Sequence, residues 1–175
     1  GSAIWIAAAS GSGSLAPQDV IIRGCHFHDC DWHGIHFSVT RGIVENCIFH
    51  NVKEAALYGS YTTHAPVQDV QFVNNVVDGV TRKDISACGL EWTADRFRVS
   101  GNIFTNCQNQ AIALAQCAFG DVSNNVIGNI GRTDVDNSCD LDSDTTFTMD
   151  DVESINNTGQ DVAIGTQVIH ASIPQ

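Results

Sequence analysis

Two carboxylates, an imidazole and a phenol recur at matching points of this chain. Glu91 sits in Gly89-Leu-Glu-Trp92 and Asp142 in Asp140-Leu-Asp-Ser143. His36 sits in Gly34-Ile-His-Phe37 and Tyr58 in Ala56-Leu-Tyr-Gly59. Each holds the third place of its phrase, so stacking the phrases would put all four in one column. A carboxylate pair such as Glu91 and Asp142 can act as acid and base in inverting glycoside hydrolysis. An adjacent His36 and Tyr58 can act as base and acid in β-elimination on a uronic acid. Arg41 or Arg96 would then neutralise the sugar carboxylate. A third reading is that His36 and Tyr58 only pack along a strand ladder.

The elements that would position these groups form a repeat. Ile22-Arg-Gly-Cys-His-Phe-His-Asp29 is followed by Val44-Glu-Asn-Cys-Ile-Phe-His-Asn51 and Phe72-Val-Asn-Asn-Val-Val-Asp-Gly79. Arg98-Val-Ser-Gly-Asn-Ile-Phe-Thr-Asn106 and Val122-Ser-Asn-Asn-Val-Ile-Gly-Asn129 continue it. Aligned on Gly24, Asn46, Asn74, Gly101 and Asn124, the steps are 22, 28, 27 and 23 residues. Self-similarity at such a period marks a solenoid. Between the copies lies the second phrase, with Ala111-Ile-Ala-Leu114 as a further member. Ala3-Ile-Trp-Ile6 and Ala163-Ile-Gly-Thr166 form its outer copies. Short alternating strands bounded by Asn/Gly turns argue for β structure.

Side chains alternate along a strand, so the flanking residues fix the faces. The inward set is Ile35/Phe37, Leu57/Gly59, Leu90/Trp92, Ile112/Leu114 and Leu141/Ser143. The outward column is then Trp5, His36, Tyr58, Glu91, Ala113, Asp142 and Gly165. Neighbours would stand about 4.8 Å apart, and Glu91 and Asp142 about 9.6 Å. Trp5 and Tyr58 offer flat faces for sugar rings. Asn75, Asn102 and Asn125 fall in another column with Cys25 and Cys47, and stacked Asn can satisfy buried turn amides.

A β-branched strand, then Asn-Asn, then an apolar strand, then Gly-Ile-x-Phe resembles the right-handed parallel β-helix superfamily, the pectate-lyase-like fold. The resemblance covers residues 3–170. It implies an all-β solenoid of about six to seven coils, three strands to a coil, with substrate on the outer face of the first strand. Here that strand is the Gly-Ile-His-Phe series. Phage tailspike depolymerases and bacterial polysaccharide lyases and hydrolases share the pattern. The resemblance thus implies an extracellular or virion-associated protein acting on a polysaccharide. The alternative is a non-catalytic receptor-binding or spacer solenoid within a larger fibre, as a homotrimer or buried against the rest of that protein.

The chain of 175 residues with net charge −12 is long enough for one cored domain. The domain is read as 3–170, with Gly1-Ser2 as a cloning remnant and 171–175 as a tail. Nothing resembles a basic stripe for nucleic acid, and no run approaches the roughly 20 apolar residues of a membrane span. No amphipathic helix precedes the first coil. Solenoid ends need a cap, so the end is read as truncated or covered by a partner. Seven cysteines read as free thiols acting as small hydrophobes, which points to assembly in a reducing cytosol.

Neither mechanism requires a cofactor. Asp140, Asp142 and Asp144 alternate on one strand, and a Ca²⁺ ion would relieve their repulsion. The spacing superficially matches an EF-hand loop, but Thr145 replaces its sixth-position Gly. His26, His28, His33, His36 and His50 cluster without an evident zinc set. Asn156-Asn-Thr158 matches a glycosylation sequon. Finally, Ile48, Val76, Ile103 and Val126, with His26 first, would form an exposed stripe suited to a partner.

Overall fold

A computed structural model describes residues 1–7, 15–59, 67–82, 87–108, 110–114, 117–128, 150–155 and 158–159. The strands follow one another as the repeat predicts. After β1 (Ile4–Ile6) comes a first coil of β2 (Gln18–Arg23), β3 (His26–Cys30) and β4 (Ile35–Phe37). The next holds β5 (Thr40–Glu45), β6 (Ile48–Val52) and β7 (Ala55–Gly59). Then come β8 (Gln68–Val73), β9 (Val76–Val80) and β10 (Cys88–Trp92), and β11 (Asp95–Ser100), β12 (Ile103–Cys107) and β13 (Gln110–Leu114). β14 (Ala118–Ser123), β15 (Val126–Gly128), β16 (Asp150–Ile155) and β17 (Thr158–Gly159) extend the pattern.

Three parallel sheets result. Sheet 1 runs β1-β4-β7-β10-β13, sheet 2 runs β2-β5-β8-β11-β14-β16 and sheet 3 runs β3-β6-β9-β12-β15-β17. Each strand pairs only with its counterparts one coil away, so the chain climbs as a three-sided parallel solenoid. The outer copy Ala163-Ile-Gly-Thr166 and the inner copy Asp140-Leu-Asp-Ser143 lie outside the described residues, as do Asn156 and Asn157.

The core is built from the inward rows. Ile35, Phe37, Leu57, Leu90, Trp92, Ile112 and Leu114 are all buried, as alternation requires. Phe27 stacks on Phe49 at 4.9 Å, and Phe72 bridges Phe49 and Phe104 at 5.8 and 6.2 Å. Burying an aromatic or aliphatic side chain contributes about 1.5–3 kcal/mol, so these rows drive closure of each coil.

The turn from sheet 2 to sheet 3 needs a left-handed residue. Gly24, Asn46, Asn74, Gly101 and Asn124 all have φ between 52° and 69°, a region Gly and Asn tolerate best. The next residue supplies the ladder. Asn75 Oδ1 accepts from the Cys47 amide at 2.9 Å, Asn102 Oδ1 from Asn75 at 2.9 Å and Asn125 Oδ1 from Asn102 at 3.0 Å. Their Nδ2 groups donate to the carbonyls of Val44, Phe72 and Val99. Cys47 Sγ takes over as acceptor for the Cys25 amide at 3.5 Å. Cys25, Cys30, Cys47 and Cys107 are free thiols.

A second kink was not evident in the repeat. Asp29, Asn51, Gly79 and Asn106 have φ of 51°, 53°, 88° and 55°. In β3 and β6 two consecutive residues face outward before the strand turns in again. The left-handed residue recurs at the same register in each coil, and it returns Cys30, Val52, Val80 and Cys107 to the core. The row before it keeps simple alternation, so Ile48 (46 % exposed) and Ile103 (41 %) do form an outward stripe. Registration puts His26, Ile48, Val76, Ile103 and Val126 side by side.

Candidate functional site

The outer face of sheet 1 carries the densest cluster of polar aromatic groups. Its register sets Trp5 against His36, His36 against Tyr58, Tyr58 against Glu91 and Glu91 against Ala113. The column expected from the repeat is therefore continuous through Ala113. Asp142 and Gly165, its later members, lie outside the described residues, as do the other acidic candidates Asp140 and Asp144.

Contacts within the column are graded. Trp5 is 59 % exposed and lies over the His36 ring, centroids 3.9 Å apart and planes 22° apart. That indole and Tyr58, edge-on at 4.9 Å, leave His36 only 8 % exposed. His36 Nε2 shares a hydrogen bond of 3.2 Å with Ser38 Oγ, while Nδ1 has no partner among the described residues. Burial lowers the His36 pKa, so the ring is neutral. His36 is thus a covered packing group beneath an exposed indole, where an open surface imidazole was expected.

A neighbouring layer of residues was missed in the sequence. His33 lies face to face with Tyr58, 4.5 Å apart at 7°, and stacks on Trp32 at 4.9 Å. Its Nε2 meets Glu54 Oε2 at 3.2 Å, and Glu54 in turn pairs with Arg82. Burial, the nearby His36 and the chain's amino terminus push the His33 pKa down to about 4. The pairing with Glu54 does not reverse this, because Arg82 already answers the carboxylate's charge. A neutral His33 donating Nε2–H to Glu54 satisfies both groups. The signal available was a lone glutamate just before the apolar strand Ala55–Gly59. A charge at such a corner needs a buried partner.

Glu91 stands next in the column, between Tyr58 and Ala113. It is half-buried, and desolvation raises its pKa to about 7 against a weaker opposing hydrogen bond from the Cys88 thiol at 3.9 Å. A carboxyl poised near neutrality can hold a proton for donation and release it afterwards.

The two arginines expected beside the column require correction. Arg41 is on β5 and Arg96 on β11, both in sheet 2. Arg41 grips Asp19 through Nε and a terminal nitrogen at 2.8 and 2.9 Å, and Arg96 grips Asp69 at 2.6 and 2.8 Å. All four residues have positive φ in one alternating-sign row. The corners after Phe37 and after Trp92 carry these side chains off the face of sheet 1 and onto the next side. Their charges serve the solenoid.

On sheet 3, His50 Nδ1 meets Asp78 Oδ2 at 3.2 Å, and His28 Nδ1 meets Asp29 Oδ2 at 3.0 Å. Among the described residues no group of three or more His, Cys, Asp or Glu is arranged to hold a metal ion.

A family model described as a right-handed beta helix region matches residues 2–168. No curated protein and no solved structure matches the chain.

Proposed function

Because the chain belongs to the right-handed β-helix family, we propose that the outer face of sheet 1 binds a polysaccharide and hydrolyses it, with Glu91 as proton donor. The observation that carries this reading is the coincidence of an exposed Trp5, a flat Tyr58 and a Glu91 raised to about 7 in one strand-to-strand column. Aromatic faces hold sugar rings. Three strand spacings, about 14 Å, separate Trp5 from Glu91, so the glycan runs along the solenoid axis. The repeat offers Asp142 as the second carboxylate, to activate water from the far side of the bond.

Hydrolysis is better supported than elimination. A lyase needs an accessible base and a cation for the uronate, whereas His36 is covered and Arg41 and Arg96 are bound to aspartates. The test is Glu91→Gln against a polysaccharide panel, reading reducing ends and unsaturated-uronate absorbance together. The reading expects a fall of about 100-fold or more in reducing ends, with no absorbance from either protein. Unchanged turnover removes Glu91 from the mechanism.

The exposed row Ile48, Ile103 and Val126 favours a second reading, a non-catalytic fibre segment that associates through sheet 3. A stable monomer in light scattering would count against it.

A further inference from the structure

We infer that the glycan accepted by sheet 1 is uncharged. This rests on the polysaccharide-binding reading and adds the substrate class. Four arginines stand on sheet 2, each committed to a carboxylate: Arg23 to Glu45, Arg41 to Asp19, Arg96 to Asp69 and Arg98 to Asp121. Arg82 is held by Glu54 beneath the aromatic cluster. Among the described residues this leaves Lys53 as the cation outside such pairs, an exposed residue following β6.

The face itself presents Trp5, Trp32 and Tyr58, with Glu91 and the Glu54–Arg82 pair as its charged groups among the described residues. It sits within a chain of net charge −12. A uronate polymer would bring repeated carboxylates toward this surface and find, among the described residues, only Lys53 outside an ion pair to answer them. Like charges brought together at a desolvated contact are strongly disfavoured. The burial that already lifts Glu91 toward neutrality shows that the site tolerates poorly even its own negative charge. Uncharged sugars meet none of these terms. They place C–H faces on indole and phenol rings and hydroxyls against polar edges, as compact sites with few polar groups require.

The test compares polygalacturonate, alginate and hyaluronate with their carboxyl-reduced forms, and adds β-glucan and galactomannan. Binding is measured by affinity electrophoresis at low salt and at about 0.5 M salt, where charge interactions are screened. The expected result is at least one uncharged polymer bound with little salt dependence and lost in Trp5→Ala. Every uronate polymer should bind at least about tenfold more weakly. A uronate polymer bound more tightly than its reduced form, and lost in Trp5→Ala, overturns this inference and leaves polysaccharide binding standing. Binding that disappears in Lys53→Ala also overturns it. No binding to either class overturns both.

Discussion

Tyr58 lies flat on His33, not on His36, although the strand register sets it beside His36. The ring planes differ by 7° in the first pair and 65° in the second. A buried hydrogen bond fixes this choice, because Glu54 takes the edge of His33 and turns its face to the phenol.

Removing that acceptor should therefore loosen the platform. Glu54→Gln leaves Arg82 without its carboxylate and weakens the bond to His33. A loss of about 2–3 kcal/mol is expected from urea unfolding. Near-UV dichroism from Tyr58 and Trp32 should change with it. Tyr58→Phe, which keeps the ring, should leave stability within about 0.5 kcal/mol.

The two perturbed groups act on stability in opposite senses. Glu91 has its folded pKa raised to about 7, so its contribution is fully present below the ordinary carboxylate range and is lost as pH rises through 7. His33 has its folded pKa lowered to about 4, so its contribution is present above the ordinary histidine value and is lost as pH falls toward 4. Denaturation across pH 4–8 should show Glu91→Gln flattening the upper slope by about 2 kcal/mol, allowing for partial exposure. A wild-type slope that survives Glu91→Gln would mean another group causes it.

The ladder is expected to be among the least tolerant parts of the core. Asn102 is fully buried and holds the Asn75 amide and the Phe72 carbonyl. Asn102→Ala leaves both unpaired, and a cost of about 2–4 kcal/mol follows. Amide exchange at Asn75 should accelerate together with global unfolding.

Packing at the sheet 1 corner gives a steric test. A Cβ on Gly59 would lie 2.6 Å from both the Phe37 carbonyl oxygen and Trp92 Cδ1. Gly59→Ala should destabilise by about 1–3 kcal/mol and shift Trp92 fluorescence. Gly128→Ala, whose new methyl would have, among the described residues, only Thr105 Cγ2 at 3.9 Å, should be close to neutral in the same thermal melt.

Trp5 separates binding from folding. Its indole is mostly exposed, so Trp5→Ala should change stability little while weakening glycan binding by about tenfold or more. A large stability loss with intact binding would make Trp5 a lid for His36 and nothing else.

Much of the fold was legible because alternation and turn chemistry are local. Ile35, Leu57, Leu90 and Ile112 were assignable as inward from spacing alone, and the Asn75–Asn102–Asn125 stack from their column. The left-handed kink at Asp29, Asn51, Gly79 and Asn106 was not, since two successive outward residues look like an ordinary polar strand end. The site was legible as a column but not in depth. Register put Trp5, His36, Tyr58 and Glu91 together, yet whether His36 is open depends on the rotamer of the indole above it. His33, Glu54 and Arg82 meet from three corners, and no periodicity relates them. Arg41 and Arg96 were misjudged because the repeat does not say how far each corner turns the chain.

The asparagine ladder also has a direction. Every turn amide from Cys47 to Asn102 finds its acceptor in the coil that follows it, never in the one before. During synthesis each newly emerged turn therefore keeps an open N–H until its successor docks, and the solenoid locks one coil behind its own growing end. The two ends of such a stack are not equivalent. A coil lost from the leading side strands a backbone N–H, whereas one lost from the trailing side takes away the carbonyl that a side-chain Nδ2 donates to.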